Sequence, residues 1–432
     1  MHTLSFRAPA PGPPRRSLWT VARPFVVLVT MLLLGIGSAP PAAAQASFPG
    51  SGSEPNANLR VYPLDVWGPR VGPGLGAGLV VHHLGRHNAQ WLATIAPAWH
   101  EQVATLSFAS AYPERAQQYV FATVRGLHTD RRWFYGLGPA ASDDARLSFR
   151  QTSLRARVGV GRQLWSRRLH LRPHLTLHHV RTTGVTGDRS ALSSRSQQHV
   201  ARLRGAGPPG ARPTGVRAGI TVQYKTEAPA RYAPHGVRIQ GTWDRYADLN
   251  GSELAFDQLD LTLQGIISLV GQHRLDLQTG LVRTWSRGEA PIPFYHLPTL
   301  DGSVVPGWAR SRFVGRDRLT ASAYYRFPLS DASPVFDLDG HLGLHAAGIY
   351  DDLPSQFHPA LDFDPSFSST ASTYPLRPSA SIGLQVRMPM RPRTTVDVAL
   401  GISPEGLSAA RLTVNRPLHF LRPPHHTSRS LR

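Results

Sequence analysis

The sequence predicts an all-β protein, a transmembrane antiparallel β-barrel of about sixteen strands with a long loop folded into its lumen. Three observations carry that expectation. From Val71 onward, segments of about 9–12 residues alternate apolar and polar side chains between turn-like stretches, the period-2 signature of a strand with two different environments. A positively charged, apolar leader stands ahead of them. No convincing amphipathic helix follows, and no later run approaches the roughly 18 apolar residues that a spanning helix needs.

Residues 1–46 read as a secretory signal peptide. Arg7, Arg15, Arg16 and Arg23 make a positive n-region, and Phe25–Gly37 is an apolar h-region. Cleavage near Ala44 or Ala46, at small residues, sends the mature chain out of the cytoplasm. Residues 47–70 are rich in Pro, Gly, Ser and Asn without periodicity, and are expected to form a short flexible periplasmic arm. The barrel is expected over 71–420, with a C-terminal tail at 421–432.

The alternating segments begin at Gly74–His83, Gln90–Ala98, Gln102–Ala111, Gln118–Leu127, Arg146–Gly161 and Leu169–Arg181. Thr214–Thr226, His235–Tyr246, Ala255–Val270, His273–Ser286, Leu319–Leu329 and Val335–Ala346 continue the series. Ser379–Pro389, Thr394–Ile402 and Leu407–Asn415 end it. One more short strand near Pro293–Leu300 makes sixteen, and an even number returns both chain ends to one side. A soluble sandwich also alternates, so the pattern alone does not say which face looks outward. The aromatic cluster Tyr324, Tyr325 and Phe327 has the composition of a membrane-interface girdle.

Three loops stand out. Gly184–Gly215 is rich in Ser, Arg, Gly and Pro and reads as an extracellular loop. Leu297–Arg318 carries Arg310, Arg312, Arg316 and Arg318. Tyr350–Tyr374 is locally acidic, with no EF-hand spacing.

Of 432 residues none is cysteine, which removes disulfides, thiolate metal sites, cysteine nucleophiles and an acylated lipoprotein anchor. The net charge of +20 is almost all arginine, since Lys225 is the single lysine. Those arginines are scattered through alternating segments, without the compact basic helix or stacking platform of a nucleic-acid binder. They suit polar strand faces or anionic lipid head groups. His170, His174 and His178 share one strand face, but neighbours four apart lie roughly 13 Å from each other, too far for one metal ion. No G-x-S-x-G elbow, phosphate-binding glycine loop or haem motif appears. No catalytic, metal or cofactor site is therefore expected.

Two stretches carry a resemblance. FYGLG at Phe134–Gly138 lies in the first half of the chain. Val305-Pro306-Gly307-Trp308, Arg312-Phe313-Val314-Gly315-Arg316-Asp317 and Tyr324-Tyr325-Arg326-Phe327-Pro328-Leu329 follow in order, with Val335–Gly340, Ser381–Arg387 and Val396–Leu400 downstream. In order and spacing these resemble the BamA/TamA/FhaC-type outer-membrane barrels, the bacterial surface-antigen family, over most of Val71–Phe420. The resemblance implies an outer-membrane protein that inserts or translocates protein or lipid. It also implies a lumen-loop motif of Gly307, Trp308, Arg310, Arg312, Phe313 and Gly315.

The family's loop arginine falls at Pro306, so the lock that the resemblance implies is either lost or handed to Arg310 or Arg312, with Asp337 or Asp339 as candidate partner. POTRA domains, which bind clients in the family, are missing from the few residues ahead of Val71. That puts classical assembly or two-partner secretion in question. Implied partners are outer-membrane lipids and a client polypeptide or separate periplasmic protein. The mechanism implied is opening of a lateral seam between Gly74–His83 and Leu407–Asn415. There Gly74, Gly76 and Gly78 either loosen packing or relieve curvature. A passive anion-preferring pore, a structural barrel and a lipid-modifying enzyme are the alternatives.

Overall fold

The computed structural model describes residues 58–66, 74–84, 89–111, 118–139, 141, 146–165, 168–186, 214–226, 236–251, 253–300, 304–308, 312–330, 337–364, 373–388 and 394–415. The expected signal peptide, the tail and most of the 184–215 loop lie outside them. Sixteen long strands form one antiparallel sheet. They are β1 (Asn58–Val66), β2 (Gly74–Leu84), β3 (Ala89–Pro97), β4 (Glu101–Ala111), β5 (Gln118–Phe134) and β6 (Leu147–Leu164). Next come β7 (Leu169–Thr186), β8 (Thr214–Lys225), β9 (Gly236–Asp248), β10 (Ala255–Ser268) and β11 (Arg274–Ser286). The last five are β12 (Asp317–Ser330), β13 (Asp337–Tyr350), β14 (Tyr374–Met388), β15 (Thr394–Ser403) and β16 (Gly406–Asn415).

Each strand pairs with the next in sequence. The sheet curls until β1 and β16 approach within 8 Å at their Cα atoms. Among the described residues no registered ladder joins these two strands, and that junction is a seam. Strand parity places the start of β1 and the end of β16 on one side, with the short turns. The long connections after β5, β7, β11 and β13 all fall on the other.

The sixteenth strand is not where the sequence suggests. Asn58–Val66, expected as part of a flexible arm, is β1, paired with β2 from Asn58↔His82 to Val66↔Gly74. Pro293–Leu300, expected as a strand, holds a 3-10 turn at Phe294–His296 and a two-residue strand, Thr299–Leu300, outside the barrel sheet. The seam therefore runs along β1, and Gly74, Gly76 and Gly78 belong to the paired strand beside it. β5, β6 and β7 are 17–18 residues long. That exceeds the roughly 9–11 needed to span a bilayer, so they overrun it.

The orientation of the faces is what the alternation left open. On β7, Leu175 and Leu177 are 49% and 43% exposed, while His174, Thr176 and His178 between and beside them are 5–7% exposed. The same inversion holds at Val158 and Val160, Ile220 and Val222, Leu342 and Leu344, and Ile382 and Leu384, all exposed. A soluble sheet protein would bury these side chains. Here the apolar face is outside and the polar face inside, as lipid demands, with backbone groups satisfied by pairing. The expected girdle divides. Tyr325 faces out with its hydroxyl 2.7 Å from His273 Nδ1, but Tyr324 turns inward onto the His345 ring.

Glycine matters at one point of the inner wall. A Cβ on Gly219 would lie 1.9 Å from Asp244 Oδ1 and 2.9 Å from His174 Nε2, so only glycine leaves room for the 2.7 Å His174–Asp244 contact. His170, His174 and His178 do share one buried face. No group of three or more His, Asp or Glu among the described residues has the geometry of a metal site.

Candidate functional site: a loop locked inside the barrel

The β11–β12 connection, 287–316, enters the lumen from the long-loop end. Proline at 291, 293 and 298 keeps its first half extended around the Phe294–His296 turn. It then folds back on itself, because Thr299–Leu300 pairs antiparallel with Phe313–Val314. That ribbon gives the insert its own backbone hydrogen bonds, which a buried segment requires.

Two apolar clusters fix it. Phe294 packs its ring 4.6 Å from Phe134 and 5.0 Å from Phe149, in a cluster with Leu147, Tyr246, Phe256 and Val314. On the opposite side, Val305, Trp308 and Phe313 bury against Tyr135, Ala347 and Ile349. Contact with β5, β6, β9 and β10 on one wall and β13 on another means that the loop crosses the lumen as a plug.

Polar contacts complete the hold. Arg312 Nε donates to both carboxylate oxygens of Glu405, at 2.7 and 2.9 Å, and its Nη2 lies 2.7 Å from Oε1. Its Nη1 donates to the Ala141 carbonyl at 2.7 Å. Such forked, charge-assisted bonds fix direction as well as energy. Arg377 of β14 sits 3.6 Å from the centroid of the Phe313 ring and donates through Nη2 to the Pro139 carbonyl. Ser379 Oγ donates to the Pro306 carbonyl at 2.7 Å. Gly307 has φ +102°, and a Cβ there would meet Ile402 O at 2.8 Å; one on Gly401 would meet Gly307 N at 2.1 Å. Plug and wall touch backbone to backbone.

The motif residues thus divide. Gly307, Trp308, Arg312, Phe313 and Gly315 all lie in the plug contact, Gly315 with its amide donating to Pro298 O at 3.2 Å. Arg310 lies outside the described residues. The expected carboxylate partners are corrected: Arg312 pairs with Glu405, in the β15–β16 turn. Asp339 lies 3.9 Å from Arg274 Nη2, and Asp337 is exposed at the start of β13. Parity explains the difference, since β13 begins at the short-turn end while the plug hangs from the other. The FYGLG stretch lies far from the loop in sequence, yet it lines the same site. Gly138 N donates to Val314 O at 2.7 Å, and the Arg312 guanidinium lies 5.1 Å from the Tyr135 ring.

Burial shapes the titration of the plug. His296 is held well below the usual imidazole range by desolvation, with His178, Arg217 and Arg155 adding repulsion. Desolvation pushes the Tyr295 hydroxyl above its ordinary range.

The barrel fold has counterparts among solved structures. BamA from Haemophilus ducreyi, in a form lacking POTRA domains 1-3, superposes with a TM-score of 0.53 at 14% identity, covering 83% of this chain and 68% of that one. CdiB from Escherichia coli superposes at 0.50 and 10% identity, covering 85% of this chain and 62% of that one. The chain has the BamA/CdiB barrel fold. It spans less than two thirds of the CdiB length. No family model and no curated sequence matches it. In this BamA/CdiB-type barrel the plug is tied to the wall by Arg312 and Glu405.

Proposed function

We propose that this protein is an outer-membrane barrel that inserts or translocates polypeptide, with lipid as a second cargo class. The observation that carries the reading is a plug held by a directional ion pair beside an unladdered seam. A plug anchored by apolar packing alone would suit a permanent wall. One fixed through Arg312 and Glu405 has a contact that a client can compete for. The exposed apolar belt meets outer-membrane lipid, and the leader at 1–46 provides export. A client polypeptide or a separate periplasmic protein would engage the short-turn end, where β1 begins and β16 ends.

A passive anion-preferring pore is the second reading, favoured by the arginines of the inner wall. Planar-bilayer conductance of the refolded chain separates the two, with a Val304–Arg316 deletion alongside. A nearly closed wild type and a steadily conducting deletion support the plugged transporter. Equal conductance in both would leave the pore as the better account.

A further inference from the structure

Beside the plug, inside the barrel wall, lies a cavity of about 530 Å³. That is within the roughly 300–1,000 Å³ typical of small-molecule sites. Arg157, Arg172 and Arg217 project into it from β6, β7 and β8, faced by Asp244 and Asp260. Alternation sets this direction, since Val158 and Ile220 beside them are exposed outward.

The carboxylates are already engaged. Asp244 is 2.7 Å from His174 and 3.6 Å from Arg217, and Asp260 accepts a hydrogen bond from Thr262. Arg217 is engaged too, donating to Gln258 at 2.9 Å. Arg157 and Arg172 are different. Arg157 lies in the field of Asp244, but among the described residues the Nε–H of each is buried without a hydrogen-bond acceptor, and Arg172 reaches Gln240 at 3.5 Å. A buried guanidinium donor left unmatched is costly, and such forks match carboxylate and phosphate oxygens; with the carboxylates of the wall already engaged, a phosphate-type anion is the ligand that supplies the missing acceptors. Thr221, Thr242 and Gln240 add neutral polar groups to the same wall.

We propose that this chamber binds an anion of the phosphate class, held by Arg157 and Arg172. The shared chemistry is a phosphate group, free or at the head of a lipid. It does not depend on polypeptide translocation.

The test is calorimetry of the refolded full chain in zwitterionic detergent, titrated with inorganic pyrophosphate and separately with short-chain phosphatidylglycerol. Saturable binding is expected, weakened at least tenfold in Arg157→Gln/Arg172→Gln. It should be strengthened severalfold in Asp260→Asn, a gain that general damage to the fold does not produce. Pyrophosphate binding identifies a free anion. Binding of the lipid alone, with the same dependence on both variants, identifies a head group. No saturable binding of either probe, or unchanged affinity in both variants, overturns the proposal. If the double variant does not fold, Asp260→Asn and Arg172→Gln decide by the same criteria.

Discussion

Arg312 and Glu405 stand 93 residues apart in sequence and meet in a forked pair whose two Nε contacts measure 2.7 and 2.9 Å. The arginine belongs to the plug and the glutamate to the turn of the last hairpin. Hydrogen bonds to charged groups contribute about 1.5–3 kcal/mol each in net terms. The partly exposed Glu405 side chain puts this pair at the lower end of that range. Glu405→Gln should raise the open probability of the barrel in planar bilayers about tenfold. Arg312→Ala should raise it further, because it also loses the Ala141 carbonyl. The swapped pair Arg312→Glu/Glu405→Arg should recover part of the closure, and a strictly additive double-mutant cycle would refute the lock.

Gly307→Ala should loosen the plug by about 1–3 kcal/mol, from backbone strain at φ +102° and contact with Ile402 O. Gly265→Ala is the control, since a Cβ there meets nothing within 4 Å. Limited proteolysis of the loop reads the difference. Equal cleavage rates in the two variants would mean that the backbone contact holds nothing.

Acid should release the plug. Docked, His296 titrates well below the ordinary imidazole value; released into water it titrates near 6.5. The released state therefore binds more protons below that pH. Docking is at full strength above about pH 6.5 and loses about 1.4 kcal/mol per unit as pH falls towards the docked value. Conductance should rise about fivefold between pH 6.5 and 5.5, because the released imidazole is already half protonated at the upper value, and His296→Phe should flatten the profile. A wild type as silent at pH 5.5 as at 7.5 counts against this.

β1 and β16 should exchange their amide hydrogens earliest among the strands, because among the described residues no registered ladder joins them across the seam. β6 and β7, long and paired on both sides, should exchange last. Hydrogen exchange in detergent, read by mass spectrometry, gives the order directly. Protection of β1 equal to that of β6 would mean that the seam is laddered in solution.

Alternation made most of this fold legible, and fifteen of the expected segments overlap strands of the barrel. β1 escaped because Pro63 interrupts its period within a Pro- and Gly-rich stretch. A proline is tolerated in a strand at a sheet edge, which is where β1 lies. Pro293–Leu300 misled for the opposite reason, since its apolar residues are buried by the plug rather than by the sheet. Trp308, Arg312 and Phe313 were legible as a motif. Glu405 was not, because a glutamate in a Pro-Glu-Gly turn looks like any solvated hairpin residue. Counting strands would have found it: only carboxylates at the long-loop end are within reach of Arg312, which admits Glu405 and excludes Asp337 and Asp339.

The last hairpin has two duties. Its turn carries the carboxylate that holds the plug, and its final strand, β16, is one lip of the seam. Glu405 is a single residue from the start of that strand at Gly406. A force that peels β16 away from β1 therefore also drags the latch off Arg312. Seam and stopper hang on one hinge.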